Sequence, residues 1–333
     1  MMVRPAVICL APARNETWII ERFLACASLW ADRIIIADQG STDGTADTAR
    51  GFPKVTVLDN PDDSLYNEHA RMTLLIDEAR KEPGPRILAQ LDADEMLSSD
   101  VLNSDGWMQM LNSAPGTTVS LPWVNLKPDL STYWRAPIDK GVFYHDDGRP
   151  YQGGLQHGDR LPRNPDRPSL ALERGAVLHY QYTDWERMKS KHRWYECLEH
   201  LRDPKRSAVD LYRQYHHMDA VAAEQIRPVE PAWFAAYETA GIDMRTVKKE
   251  DVYWYDREVL DWFGKHGAAH FAKQAIWDVD WSAIAQKAGR PGVFNDPRNL
   301  FHKAAHCWLK ATQKRTYHPV VKFGDRFLKK AGW

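Results

Sequence analysis

The sequence predicts an α/β fold: a mostly parallel sheet flanked by helices, followed by a helical C-terminal extension. Three observations predict it. Short apolar runs at 6–10, 33–37, 55–58 and 87–91 alternate with segments of helical periodicity, which implies βαβ units with right-handed crossovers. The runs are largely apolar rather than alternating, as in strands buried on both faces. Beyond about residue 201 the chain turns mostly helical and rich in Trp and Tyr.

The elements follow in order. After the first run, 11–16 is a polar loop, and Trp18, Ile19, Phe23, Leu24 and Ala27 recur at helical spacing, with Asn15 as the expected N-cap. The second run ends on Asp38, and 39–45 is turn chemistry throughout. A short helix is expected over 45–50 and a strand over 55–58. A helix over 67–81 is expected to turn Ala70, Leu74, Leu75 and Ala79 inward. The fourth run ends in Asp92-Ala93-Asp94-Glu95, a fifth strand is expected at 119–123, and periodicity fades between about 125 and 174. A loop region of that length is more often functional than idle. One more strand is expected at 176–180. Thr183-Asp184-Trp185-Glu186 has the spacing of a capping box at the start of a helix.

The chain has 333 residues and a net charge of −1, so the molecule as a whole offers no field for nucleic acid. Cys9, Cys26, Cys197 and Cys307 show no metal-like spacing, which fits free buried thiols in a reducing compartment. No apolar run approaches the ~20 residues of a membrane span, and 1–5 runs into a strand pattern without a signal-peptide core. A cytoplasmic location is therefore expected, possible contact with the inner face of the membrane included.

The organising stretch is 87–95. Strand period two puts Asp92 and Asp94 on one face, at the carboxyl end of a strand, where open α/β sheets place their ligands. Two hard carboxylates there suit Mg²⁺ or Mn²⁺. Set against that is a plain solvated acidic loop.

Three strand-end pieces together resemble the family 2 glycosyltransferases, with their glycosyltransferase-A (GT-A) fold. They are the 12–16 loop, Asp38-Gln39-Gly40-Ser41-Thr42-Asp43-Gly44-Thr45, and Asp92-Ala93-Asp94-Glu95. The resemblance covers about residues 5–185. It departs from the pattern at Gln39, where the family commonly has a second acid. It departs again at Met72, after Ala70-Arg71, and at Gly158-Asp159, where the family usually has a Glu-Asp pair ahead of a strand ending in His.

The resemblance implies a metal-dependent, inverting glycosyltransferase. A sugar would move from a nucleotide diphosphate donor, a UDP-sugar first among them, to a hydroxyl of a glycan or lipid-linked acceptor. It implies that Asp94 and His179 hold Mn²⁺ or Mg²⁺ and that Asp92 meets the ribose or a metal-bound water. Pro12, Arg14, Asn15, Glu16 and Asp38 would hold the nucleoside, with Arg14 and Arg71 reaching the diphosphate. The general base would be Asp159, with Asp147 and Asp146 as competitors. Each residue also has a plainer reading: Asp38 as a helix cap, Arg71 as a salt-bridge partner, His179 as a structural residue and Asp159 as a turn residue. Two other functions stay open, a sugar nucleotidyltransferase on a similar core and a non-catalytic sugar-nucleotide-binding protein.

This reading divides the chain into a nucleotide-sugar-binding and catalytic domain at 1–185, a helical region at 186–300 and a basic amphipathic tail at 301–333. The tail holds eight Lys/Arg and one acid, Asp325. Such a segment either lies on an anionic membrane surface or packs on the body with its basic face in water. A role in cell-envelope polysaccharide synthesis would suit the first.

Overall fold

The computed structural model describes residues 4–60, 67–153, 160–167, 169–290 and 292–333. The chain begins with β1 (Ala6–Ala13), α1 (Ile20–Ser28), β2 (Arg33–Asp38), α2 (Thr45–Arg50), β3 (Val55–Asp59), α3 (Glu68–Ala79) and β4 (Arg86–Gln90). Next come β5 (Glu95–Leu97), α4 (Asp105–Leu111), β6 (Thr118–Leu121), β7 (Trp123–Leu126), β8 (Thr132–Arg135), β9 (Lys140–His145), β10 (Leu170–Ala171) and β11 (Val177–His179). The helices α5 (Trp185–Arg202), α6 (Ala208–Tyr215), α7 (Ala232–Thr239), α8 (Trp254–His266), α9 (Trp281–Lys287), α10 (Leu300–Thr312) and α11 (Pro319–Lys330) follow. These elements form two compact units. The first runs to Thr183 and takes in Arg227–Lys248; the second comprises Asp184–Ile226 and Lys249–Trp333.

The first unit carries the expected α/β architecture. Its main sheet has the order β10-β6-β9-β4-β1-β2-β3. β1 pairs in parallel with β2 and β4, and β2 with β3. β9 runs antiparallel to both β4 and β6. Both faces of the central strands are covered. Val7, Cys9 and Ala11 pack with Phe23, Leu24 and Ala27 of α1, while Ile8 and Leu10 pack with Met72, Leu75 and Ile76 of α3. The two-residue strand period sends alternate side chains to opposite layers, so the whole run must be apolar. A second sheet has β8, β7, β11 and β5 as neighbours in that order.

Several local expectations change. Asn15 does not cap α1; it sits at φ 54°, and its Oδ1 accepts the Thr42 N–H at 2.8 Å. A short polar side chain of that kind tolerates the left-handed region and bonds locally. The inner face of α3 is Met72, Leu75, Ile76 and Ala79, and Leu74 is exposed. The helix carries two overlapping apolar stripes, and the bulkier one faces the sheet. Asn67 caps it, accepting from the Ala70 N–H at 3.1 Å. The expected strand at 119–123 is two strands in different sheets, broken at Pro122, which has no N–H to give a ladder. The region expected to be irregular contains β8, β9 and β10. At the start of α5 the cap is Asp184, whose carboxylate accepts from Glu186 and Arg187 N–H, while the Thr183 hydroxyl donates to the Tyr180 carbonyl. Cys9, Cys26 and Cys197 are buried free thiols, whereas Cys307 is exposed.

The second unit is helical and built around aromatic contacts. Trp194 of α5 lies against Trp254, Tyr255 and Trp262 of α8. Phe263 stacks on Trp277 with ring centroids 5.4 Å apart and meets Trp281 edge-on. Such pairs add about 0.5–1.5 kcal/mol beyond area burial. The tail helices α10 and α11 pack on α6 through Leu309, Leu328 and Trp333. Arg213 of α6 ties them down, donating to the Leu309 carbonyl, Gln313, Thr312 and both oxygens of Asp325.

Burial pushes the Glu196 carboxyl of α5 up to about 8; Asp278 adds to the shift, while the Ala275 N–H and Arg193 oppose it. A carboxyl raised on folding contributes stability fully present below about pH 4.5 and lost as pH rises through about 8. In urea denaturation, Glu196→Gln should therefore gain on the wild type by a few kcal/mol, at most about 5, between pH 4.5 and 8. Parallel stability–pH curves for the two proteins would show that Glu196 is not buried as described.

Candidate active site

The site grows from the carboxyl ends of β1, β2 and β4. Parallel register sets Ala13 beside Asp38 and Leu10 beside Gln90, so the loops after these strands emerge along one edge. The first two loops are laced together. Asn15 N–H donates to Ser41 Oγ at 2.9 Å, and Glu16 N–H to Thr45 Oγ1 at 2.7 Å. Asp43 accepts four hydrogen bonds, from the N–H and hydroxyl of both Thr17 and Thr45. Burial works to raise the Asp43 carboxyl, but these bonds outweigh it and hold it below the usual carboxylate range. Gly44, at φ 93°, supplies the left-handed residue this tight turn needs.

Asp38 is held within this lacing. Its Oδ2 accepts the Ser41 N–H at 3.0 Å. Its Oδ1 is buried and has no hydrogen-bond partner among the described residues. A buried carboxyl oxygen left bare in that way is costly unless something else donates to it. Pro12 lies in β1 opposite Ala37, and Arg14 and Glu16 are half-buried in the loop beyond. Glu16 accepts the Trp18 indole N–H at 2.6 Å. Arg71 is buried in α3 and donates to the Gln39 side chain, which places it under the second loop.

The metal candidates converge from distant parts of the chain. β11 pairs with β5, setting His179 opposite Glu95, and with β7, setting it beside Asn125. His179 Nε2 lies 3.7 Å from Asp94 Oδ2, and both residues are buried. His179 Nδ1 donates to Asn125 Oδ1 at 2.8 Å, which leaves the Nε2 lone pair facing Asp94. Trp123 stacks on the imidazole at 5.2 Å and fixes its plane. The 3.7 Å gap suits one cation bonded to both donors at about 2.1 Å each. Mg²⁺ and Mn²⁺ sites of this kind use one or two protein ligands and complete the shell with phosphate oxygens and water. The donor set therefore fits such an ion. Among the described residues, no group of three or more His, Cys, Asp or Glu is placed to hold a metal by itself.

Asp92 points elsewhere. It pairs with Arg160, which also pairs with Glu68 at the start of α3. Glu95 accepts the Asp92 N–H at 2.8 Å and is itself paired with Lys140. A cavity of about 470 Å³ opens here, walled by Gln90, Asp92, Trp123, Lys140 and Arg160. Sequence reasoning missed Gln90, Asn125, Lys140 and Arg160. Gln90 was the one with a signal, as a polar residue inside an otherwise apolar strand.

Asp147 is not brought to this site. β9 is antiparallel to β4, so His145 lies opposite Ile87, and Asp147 falls beyond the amino end of β4, about 23 Å along from Asp92 at ~3.3 Å per residue. There it accepts from Tyr144, Arg149 and Asn164. Asp146 pairs with Arg80 and Arg86 in the same place. Asp159 lies outside the described residues.

No family model matches the chain, and no curated protein matches it. Among solved structures, the crystal structure of 4-diphosphocytidyl-2C-methyl-D-erythritol synthase is similar at 14% identity. The match covers 44% of this chain and 74% of that one, with a TM-score of 0.27; so slight a match carries no functional weight.

The loop lacing makes a direct prediction. Asp43→Ala strands four donors, and because the residue is exposed the loss should be about 1–2 kcal/mol in urea denaturation at pH 7. A loss below about 0.3 kcal/mol would mean the two loops are not held by this carboxylate.

Proposed function

We propose that the first unit is a metal-dependent, inverting glycosyltransferase of the family 2 type. It would move a sugar from a nucleoside diphosphate donor, a UDP-sugar first among them, to a hydroxyl of a glycan or lipid-linked acceptor. The observation that carries this reading is the meeting of Asp94 with an Asn125-oriented His179 at the sheet edge that also bears the bare oxygen of Asp38. Asp38 would accept from a nucleoside hydroxyl or base N–H. Arg14 and Arg71 would reach the diphosphate. The cavity of about 470 Å³ beside Asp92 is within the range of small-molecule sites and would take the sugar.

Inverting transfer requires two events. The acceptor oxygen must lose its proton as it attacks the anomeric carbon, and the departing diphosphate must be stabilised as it gains charge. Mn²⁺ or Mg²⁺ on Asp94 and His179 would supply Lewis-acid stabilisation of that diphosphate. Lys140 and Arg160 would hold Glu95 and Asp92 in place beside the reacting sugar. The proton acceptor is assigned to Asp159 on its sequence position, and Asp139, on the cavity wall, is its rival.

A thermal-shift panel of UDP, GDP, ADP and CDP, each with and without Mn²⁺, tests this. One nucleotide at a hundredfold excess over its Kd should raise stability by about 2.7 kcal/mol. The metal-dependent part should vanish in Asp94→Ala, and Asp38→Asn should weaken binding about tenfold or more. No shift with any nucleotide would sink the reading. Shifts without sugar transfer in either Asp159→Asn or the wild type would point to the non-catalytic alternative.

We also propose that α11 lies on an anionic lipid surface. Val320, Phe323 and Phe327 form an i, i+3, i+7 stripe and are 60%, 73% and 61% exposed. Lys322, Arg326 and Lys330 flank it, and the helix's one acid, Asp325, turns inward to Arg213. Apolar side chains with cations beside them suit the headgroup boundary. No helix among the described residues is long and apolar enough to cross a membrane. In flotation assays the protein should bind phosphatidylglycerol vesicles and not phosphatidylcholine ones. The Phe323→Ser, Phe327→Ser double variant should bind about a hundredfold less, at roughly 1.5 kcal/mol per exposed ring. Equal flotation of that variant would remove the proposal.

A further inference from the structure

The second unit contains a cavity that the proposed reaction does not use. Its volume is about 710 Å³, inside the about 300–1,000 Å³ of small-molecule sites. Every residue lining it belongs to α5, α6, α10 or the turns between them and their neighbours in the second unit. The walls are aromatic and thioether: Trp277, Tyr212, Tyr215, Met188 and Met218.

The polar groups set into those walls are not those of a plain core. Arg193 is 6% exposed, and its Nε and Nη2 donate to Asp256 at 3.2–3.3 Å. Its Nη1, on the same buried guanidinium, has no hydrogen-bond partner among the described residues, and Asp278 Oδ1 stands off at 3.7 Å. Glu196 is 1% exposed and uses one oxygen to accept the Ala275 N–H at 2.7 Å. Its other oxygen lies 3.5 Å from His216 Nδ1. The His306 ring is saturated, with Nδ1 accepting from Arg298 and Nε2 donating to the Lys273 carbonyl. The exposed rim carries both signs, Asp219 and Asp278 against Lys303 and Lys310.

We propose that this cavity is a carbohydrate-binding site for an uncharged, polyhydroxylated ring ligand. Charge and geometry select that class. An anion would meet Asp219 and Asp278, and a cation would meet Lys189, Arg193, Arg298, Lys303 and Lys310. A sugar hydroxyl both donates and accepts, so it is served by Arg193 Nη1 as donor and by Asp278 as acceptor. It also satisfies Arg193 Nη1, which has no hydrogen-bond partner among the described residues. The flat aromatic walls cover the C–H faces of such a ring while leaving its edge to the polar groups. The proposal concerns binding alone and stands independently of the reaction assigned to the first unit.

Saturation-transfer-difference NMR on the full chain tests it, with cellotriose, maltotriose, chitotriose and laminaritriose as neutral probes and glucose 1-phosphate and glucosamine as charged ones. No nucleotide or metal is added, so the outcome does not depend on the first unit's activity. At least one neutral trisaccharide should bind with Kd of about 1 mM or tighter. Asp278→Ala, at an exposed position, should raise that Kd about fivefold or more. Met218→Trp, which fills the cavity, should abolish the signal while circular dichroism shows a folded protein. If it fails to fold, Asp278→Ala alone decides. Silence from all four trisaccharides, preference for either charged probe, or binding unchanged in Asp278→Ala would overturn the proposal.

Discussion

The loops that frame the candidate site depend on the parallel register of β1 with its two neighbours. Ala13 beside Asp38 and Leu10 beside Gln90 mean that three separate turns leave the sheet at one edge. Parallel strands force this result, because each crossover must return the chain to the same side before the next strand begins. The antiparallel β9 shows the contrast. It brings Lys140 to the ligand edge and carries Asp146 and Asp147 to the other. Direction of travel, and not proximity in sequence, decides which acids can share a substrate.

The parts of this arrangement that were legible in the sequence share one trait. Asp38 and Asp94 each end an apolar run, and a buried strand closing on a carboxylate leaves few structural options. Asn15 was harder. Its preference for a helix cap and its tolerance of positive φ use the same short amide, and only the second loop's free N–H at Thr42 decides between them. On α3, two apolar stripes overlap, and the sequence could not say that Met72 and Ile76 would win over Ala70 and Leu74. β9 was hidden because its apolar core is only three residues, Val142–Tyr144, flanked by Gly141 on one side and His145 and Asp146 on the other. Pairs such as Lys140 with Glu95 and Arg160 with Asp92 are set by tertiary register, and single basic residues announce none of it.

The second unit reaches stability by another route. It buries Arg193 with Asp256 and Glu199 with Arg206 and Tyr215, groups whose desolvation is expensive. The interlocking rings around Trp194 and Phe263 supply the packing that offsets this. Arg213 does comparable work for the tail. One guanidinium holds five acceptors drawn from α10, α11 and the turn between them, so the last 33 residues are a folded part of the unit and not a loose appendage. Only one stripe of α11 is left over for anything outside.

The lacing of the first two loops uses protein atoms alone: Asn15 with Ser41 and Thr42, Glu16 with Thr45, and Asp43 with Thr17 and Thr45. A nucleoside arriving between such loops would find its walls already standing and would bear little of the ordering entropy that a slack loop exacts. A rigid cradle also cannot reshape itself around a different base. Discrimination among donors would then be a matter of steric match at one fixed gauge, and any broadening of choice would require loosening the knot itself.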